Sequence, residues 1–307
     1  MTRVLFIFLD GIGLGSDDAE SNPLARAEMP YLQSLLGGQK LTASAAPFES
    51  ELVSLRALDA GLGVDGLPQS ATGQAVLLTG INIPAELGYH YGPKPNPEVA
   101  GYLKNGNTLF SWLRAENKKA ALLNAYPPGY FSGIESGKRL YSSIPLAVTS
   151  AGYPLFTQED FFAGQALSAD FTGLGWRSML KIAEAPTLSA LDAGARLAQL
   201  ARGYDFSMFE YWASDYAGHK QNMDWAVEQL VTFDGVLEGL VKSWDMEVDL
   251  IVVTSDHGNM EDISTRRHTD AKVPGLVIGE KHRAFSDGLN DLTDIAPRIR
   301  QHILGNV

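Results

Sequence analysis

The chain predicts an α/β fold: a mostly parallel sheet flanked by helices in a three-layer arrangement, with a small inserted cap domain. Three observations lead there. Runs such as Val4–Leu9 and Leu250–Thr254 are apolar throughout instead of alternating, as strands buried on both faces are. Segments of helical period separate these runs, at 188–200 and 225–242. Acids and imidazoles follow directly on the strand ends, where ligands bind in open parallel sheets.

With 307 residues and 45% hydrophobic content, the chain can bury a large core, as one big domain or a domain with an insertion. Its 36 acidic residues outnumber 24 basic ones, a formal charge of −12, which argues against nucleic acid or an anionic membrane as main partner. There is no cysteine, so disulfides and thiolate metal sites are excluded, and any metal must use His, carboxylate, hydroxyl or water. The first apolar run ends at Asp10, too soon for a signal segment, and no later run reaches membrane-spanning length. The expectation is a soluble, unprocessed, cytoplasmic protein.

Val4–Leu9 is the first strand, and Asp10 with Gly11, Gly13 and Gly15 makes a tight exit from it. A dinucleotide fingerprint would need a third glycine where Ser16 stands and a helix where SDDAESNP forms a polar loop. Residues 29–36 read as a short amphipathic helix. The Gly/Pro/Ser loop 61–74 then leads into AVLLTG and presents Ser70 and Thr72 at a helix entry. A hydroxyl there suits a nucleophile that must carry a phosphoryl group, although capping the helix is the commoner role.

From about residue 83 the texture turns rich in Pro, Gly, Asn and Tyr, and regular patterning returns near 187. Residues 86–186 are therefore expected to form the inserted cap, with a helix at 108–117 and a strand at 120–125, and 1–85 with 187–307 to form the core. A strand at 205–212 leads to Asp215 and His219, whose spacing places both on one face of a helical turn, as two ligands of one ion require. In the next helix Val227, Leu230, Val231, Leu237, Leu240 and Val241 form an apolar stripe expected to face the sheet. Leu250–Thr254 is followed by Asp256, His257 and, after a polar loop, His268, a pattern that is also good turn chemistry when taken alone. Val273–Ile278 reads as a strand and 291–303 as a helix.

Asp10, Asp215 and Asp256 in one cleft would repel one another, and two divalent cations would balance these three carboxylates and one serine alkoxide. The stretches VLFIFLDGIGLG, NPLARAEMPYLQSL, LPQSATGQ, YWASDYAGHKQN, SDHGNMED, RRHTDAKVP and DLTDIAP resemble, in this order, motifs of the alkaline phosphatase superfamily. In particular they are similar to its branch of cofactor-independent phosphoglycerate mutases and phosphopentomutases. The resemblance covers about residues 1–82 and 204–300. It implies an alkaline phosphatase-like fold with two divalent metal ions, Mn²⁺ or Zn²⁺, one held by Asp215, His219 and His268, the other by Asp10, Ser70, Asp256 and His257. It further implies transfer of a phosphoryl group from a small phosphorylated metabolite to a serine, which alignment on Gly73 places at Ser70, with Thr72 as the other candidate. Return to the same substrate makes a mutase, and transfer to water a phosphatase.

Two departures stand out. Gln74 occupies a position where the phosphoglycerate mutases commonly have His, and the insertion is shorter and poorer in arginine. Lys94, between two prolines, Arg139 and Arg177 are the candidate substrate contacts, each alternatively a solvated surface charge. A sulfatase or phosphonate-type hydrolase of the same superfamily is the competing activity, but 70–74 lacks the Pro and Arg of the sulfatase motif. A degenerate metal-binding homologue without turnover is the competing non-enzyme.

Overall fold

The structure is a computed structural model and describes residues 2–305. Its sheet has seven strands in the order β2 (Phe48–Glu49), β3 (Val53–Leu58), β7 (Val273–Ile278), β6 (Leu250–Thr254), β1 (Val4–Leu9), β5 (Phe206–Tyr211) and β4 (Ala120–Leu122). β1 lies between β5 and β6 and parallel to both, and β4 extends the parallel part beyond β5. β7 is antiparallel to β6 and β3, and β2 to β3. The reason lies in the loop 255–272, which leaves β6 and enters β7 at the same end of the sheet without crossing over. β7 and β2 thus run against the other strands, and the sheet remains mostly parallel in strand direction.

Alternate residues of each strand serve two cores. Val4, Phe6, Phe8, Leu122, Met208 and Val252 meet the helices Ser70–Thr79, Leu109–Ala115, Ser143–Ser150 and Ile295–Leu304. Leu5, Ile7, Leu9, Phe209, Ile251 and Val253 meet Ala190–Ala201 and Met223–Ser243. These are the three layers. The second pair of helices packs backbone to backbone: a Cβ on Gly194 would lie 2.0 Å from Val236 O, and one on Gly239 2.0 Å from Leu191 O. Gly239→Ala is therefore expected to force the helices apart and to cost about 1–3 kcal/mol, read as a drop in Tm.

Three expectations need correction. Val231 is 47% exposed and is not core. The buried stripe of its helix runs instead through Leu230, Phe233, Asp234, Val236, Leu237, Leu240 and Val241. Asp234 is there because its carboxylate accepts from Tyr31 N (3.1 Å) and Leu32 N (2.7 Å) at the start of the helix Pro30–Leu35. Residues 86–186 do not stand apart as a cap: β4 pairs with β5 in the main sheet, and Val99, Leu103, Phe110 and Ile144 belong to the same core as Phe6. Only around Phe161 and Trp176 does that stretch build a small cluster of its own. β2 and β3, which the sequence reading lacked, form the sheet edge beyond β7. Among the described residues no helix is long and apolar enough to cross a membrane.

His302, on the last helix, is buried, and neither ring nitrogen is hydrogen-bonded among the described residues. Burial, then nearby Lys281, lowers its pKa to about 4 from 6.5. Between these values the unfolded chain binds a proton that the folded one refuses, so this group's contribution to stability falls as pH drops from 6.5 toward 4. The expected slope approaches about 1.4 kcal/mol per pH unit. His302→Phe should flatten this part of the Tm–pH profile.

Candidate metal centre

The site lies beyond the carboxyl ends of β1, β5 and β6 and at the first turn of the helix Ser70–Thr79. Gly11, at φ +67°, turns the chain out of β1, and a Cβ there would sit 2.7 Å from Asp215 Oδ1. Gly73 lets the Ser70 helix approach β6, since its Cβ would fall 2.8 Å from Asp256 Cβ. An antiparallel bridge between Gly258 and Thr269 folds the 255–272 loop back on itself. His268 is thereby stacked on His257, with centroids 3.7 Å apart and planes at 12°.

One cluster converges on His257 Nε2: Ser70 Oγ is 2.9 Å away, Asp10 Oδ1 3.4 Å and Asp256 Oδ1 3.6 Å. In the other, Asp215 Oδ2 lies 3.3 Å from His219 Nε2, and Asp215 Oδ1 3.8 Å from His268 Nε2. Ligand atoms of Asp215, His219 and His268 fall within 4.8 Å of one another, and so do those of Asp10, Asp215 and His257. Asp215 thus stands between the two clusters, a position that its assignment to a single ion does not convey.

In all three histidines Nδ1 faces a backbone carbonyl: Gly258 O at 3.2 Å for His257, Arg266 O at 2.8 Å for His219 and Pro68 O at 2.8 Å for His268. A carbonyl only accepts, so Nδ1 carries the hydrogen and Nε2 turns a lone pair toward the carboxylates, the arrangement of imidazoles that ligate a metal. A Ser-His-Asp triad would need a carboxylate at Nδ1 of His257, and that position belongs to Gly258. Asp10 Oδ1 is buried and accepts no hydrogen bond. The nitrogen and oxygen donors fit divalent cations of the Zn²⁺ or Mn²⁺ type.

The charges agree. Burial, and then Asp256, push the Asp10 carboxyl well above its ordinary range, and burial with Asp215 does the same to Asp256. Burial opposes ionisation of Asp215 too, but neighbouring His219 and His257 and the Asn259 hydrogen bond outweigh it and bring its pKa to about 2. His219 is raised by Asp215, whereas burial and then His257 hold His268 down to about 4. Carboxylates that resist ionising side by side are what bound cations relieve.

Thr72 does not share this setting. Its hydroxyl donates toward Gln69 O (3.1 Å) and Tyr91 O (3.2 Å) and accepts from Tyr91 N (3.1 Å), which pins the 89–94 loop over the helix start. The Thr72 hydroxyl is thus spent on backbone, whereas the Ser70 hydroxyl faces His257. Lys94 donates to Leu140 O at 2.7 Å, and burial followed by Arg139 lowers its pKa, so these two cations are neighbours. Arg177 bonds instead to Ala185 O at 2.7 Å, in the small Trp176 cluster.

Gln74 stood out in the sequence only as a departure, and Asn259 and Glu261 escaped it. Gln74 Nε2 reaches Asp10 Oδ2 (3.5 Å) and Asp256 Oδ2 (3.3 Å). Asn259 donates to Asp215 Oδ1 at 2.5 Å. Glu261 accepts from Gly13 N (3.0 Å), Asn259 N (2.7 Å) and the Thr269 hydroxyl, and so ties the loop after β1 to both arms of the 255–272 loop. Asn259 and Glu261 stand inside SDHGNMED, and only the loops that return to them reveal their part.

Residues 178–306 match the model of the Metalloenzyme superfamily. A 2,3-bisphosphoglycerate-independent phosphoglycerate mutase of Methylobacillus flagellatus is 28% identical over 123 residues, 37% of this chain and 24% of the relative. One from Enterobacter sp. is 33% identical over 121 residues, 36% of this chain and 23% of the relative. These matches support a metalloenzyme of that superfamily for the part of the chain that they cover. It matches only about a quarter of the length of these curated relatives. Two solved structures share the fold over nearly the whole chain. One is the PH0037 protein from Pyrococcus horikoshii, with TM-score 0.57 and 16% identity, covering 99% of this chain and 97% of that one. The other is the alkaline phosphatase of the Antarctic bacterium TAB5, with TM-score 0.55 and 13% identity, covering both chains fully at 100%.

Proposed function

We propose that the chain is a two-metal phosphoryl-transfer enzyme, a phosphomutase or phosphomonoesterase, that acts on a small phosphorylated metabolite through a phosphoserine at Ser70. The observation that carries this is Ser70 Oγ, at a helix N-terminus and 2.9 Å from His257 Nε2, with Asp10 and Asp256 around the same atom. Asp10, Ser70, Asp256 and His257 would hold one cation, Asp215, His219 and His268 the other, with Asp215 between them. When bound, the cations supply Lewis acidity that lowers the pKa of the Ser70 hydroxyl and offsets charge on the phosphoryl oxygens.

Ser70 gives up its hydroxyl proton to solvent, Oγ attacks phosphorus in line, the P–O bond to the substrate breaks, and the substrate oxygen leaves and takes up a proton while the phosphoryl group rests on Ser70. The N-terminal end of the Ser70 helix favours that negative charge. Return to a second hydroxyl of the substrate completes a mutase cycle, and transfer to water a phosphatase cycle. The curated relatives, being phosphoglycerate mutases, support the first outcome, and the alkaline phosphatase-like fold is compatible with both. Lys94 and Arg139 would face the substrate from the rim. The test is a screen of phosphorylated metabolites with Mn²⁺ and with Zn²⁺, scoring released phosphate and isomerised product, together with mass spectrometry for phosphoserine at Ser70. A protein that retains less than one divalent metal per chain, or never carries phosphate on Ser70, would sink this reading.

A further inference from the structure

β5 carries one buried carboxyl, Glu210, at its site end. Its backbone is clamped from both sides by Asn124, which accepts from Glu210 N and donates to Glu210 O, each at 2.8 Å. Its side chain falls on the face of Phe206 and Met208, the face that also carries the Ser70 helix. In the parallel register Glu210 lies opposite Phe8, two residues before Asp10, so Glu210 and Asp10 are diagonal neighbours, a separation of about 7–8 Å between backbones.

Beside Glu210 stand two tyrosines with ring centroids 4.4 Å apart, Tyr126 and Tyr130. The Tyr126 hydroxyl donates to Glu210 Oε2 at 3.3 Å. Tyr130 is 7% exposed, and its buried hydroxyl has no partner among the described residues. The Arg139 guanidinium covers the Tyr130 ring at 4.7 Å. The group is tied to the Ser70 helix, since the Ser143 hydroxyl, just beyond Arg139 in the chain, donates to Ala71 O at 3.0 Å. A buried carboxyl with one hydrogen bond beside an unpartnered phenol is costly unless something completes the set.

We propose that Glu210, Tyr126 and Tyr130 form a hydroxyl-binding subsite next to Ser70 that takes the non-transferred, polyhydroxylated part of the phosphate ester. This rests on the phosphoryl-transfer reading above. Glu210 accepts from a substrate hydroxyl, Tyr130 OH donates to or accepts from its neighbour, and the tilted ring pair offers an apolar wall to carbon-bound hydrogens. A carboxylate in the same place would meet Glu210, and an amine would meet Arg139 and Lys94. Burial raises the pKa of Glu210 to about 7, so the carboxyl can also act as a donor near neutrality.

The test measures binding by calorimetry to the Mn²⁺-loaded full chain in a Ser70→Ala background, where no turnover interferes. Ribose 5-phosphate is the polyhydroxylated probe and phenyl phosphate the probe without hydroxyls. Adding Glu210→Gln or Tyr130→Phe is expected to lower the ratio of ribose 5-phosphate affinity to phenyl phosphate affinity by at least about tenfold. Tyr130→Phe removes a single oxygen, so it keeps the test valid should Glu210→Gln unfold. A ratio that stays within about twofold in the folded variants overturns the subsite and leaves the phosphoryl-transfer reading standing. Failure of phenyl phosphate to bind counts against that reading instead. Ribose 5-phosphate binding alone then decides the subsite: its loss in the variants supports it, and its absence in the parent overturns it.

Discussion

Replacing Ser70 with alanine is expected to lower kcat by at least about 10³-fold while the fold and metal retention largely persist. Ser70 occupies the first position of its helix, where the missing hydroxyl removes no intrahelical hydrogen bond. Its Oγ contacts His257 Nε2, and the remaining donors, Asp10, Asp256 and His257 itself, stay in place. The comparison that isolates chemistry from packing is Thr72→Val. The Thr72 hydroxyl pins Tyr91 through two hydrogen bonds and contacts Gln69 O, so its loss should cost stability and loosen the 89–94 loop, with a far smaller fall in kcat. Measuring kcat and Tm for both variants on one substrate from the metabolite screen decides the matter. Equal losses of turnover would mean that the hydroxyl facing His257 is not the nucleophile.

Asp256→Asn is expected to act in opposite directions on the metal-free and the metal-loaded protein. Without cations the Asp256 carboxyl is fully buried and faces Asp10 and Asp215, so a neutral isostere relieves repulsion and raises Tm. Asn can keep the contact to Gly11 N through its oxygen, and Gln74, whose Oε1 is buried without a partner, can turn its amide to accept from the new NH₂. With cations present the same change removes a charged ligand. The rise in Tm on adding Mn²⁺ or Zn²⁺ should shrink, and metal affinity should fall by at least about 10²-fold. Thermal scans with and without chelator, on parent and variant, test both signs. A variant less stable without metal, yet equally stabilised by it, would contradict the placement of Asp256 in a cation site.

Much of the site was legible because its parts are local. Asp215 and His219 share one helical turn, Asp256 and His257 follow one strand, and Ser70 opens one helix, so spacing and strand ends singled them out as candidates, and the resemblance favoured Ser70 over Thr72. The strands β1, β6 and β7 were equally plain, being continuous apolar runs bounded by polar or glycine-rich turns. What escaped was whatever depends on partners far along the chain. β2 and β3 are short edge strands without a marked pattern. The helices at Pro97–Lys104 and Ser143–Ser150 hide in a Pro- and Gly-rich stretch that looked like a separate cap, and they prove to be core because β4 joins the sheet beside β5.

By itself, then, the sequence determined the layered α/β character and the chemical identity of the donors, because residue type and short-range spacing set those directly. Tertiary structure alone decided how they meet. Asp10 and Asp256 are 246 positions apart, yet both reach His257 Nε2, because β1 and β6 are neighbours in one parallel sheet. It decided also that Ser70 and not Thr72 faces that imidazole, and that Asp215 stands between two clusters. Finally it placed Glu210 beside an unpartnered tyrosine at the same end of the sheet. Convergence of strand ends is a property of sheet order and register, and neither can be read from any one segment.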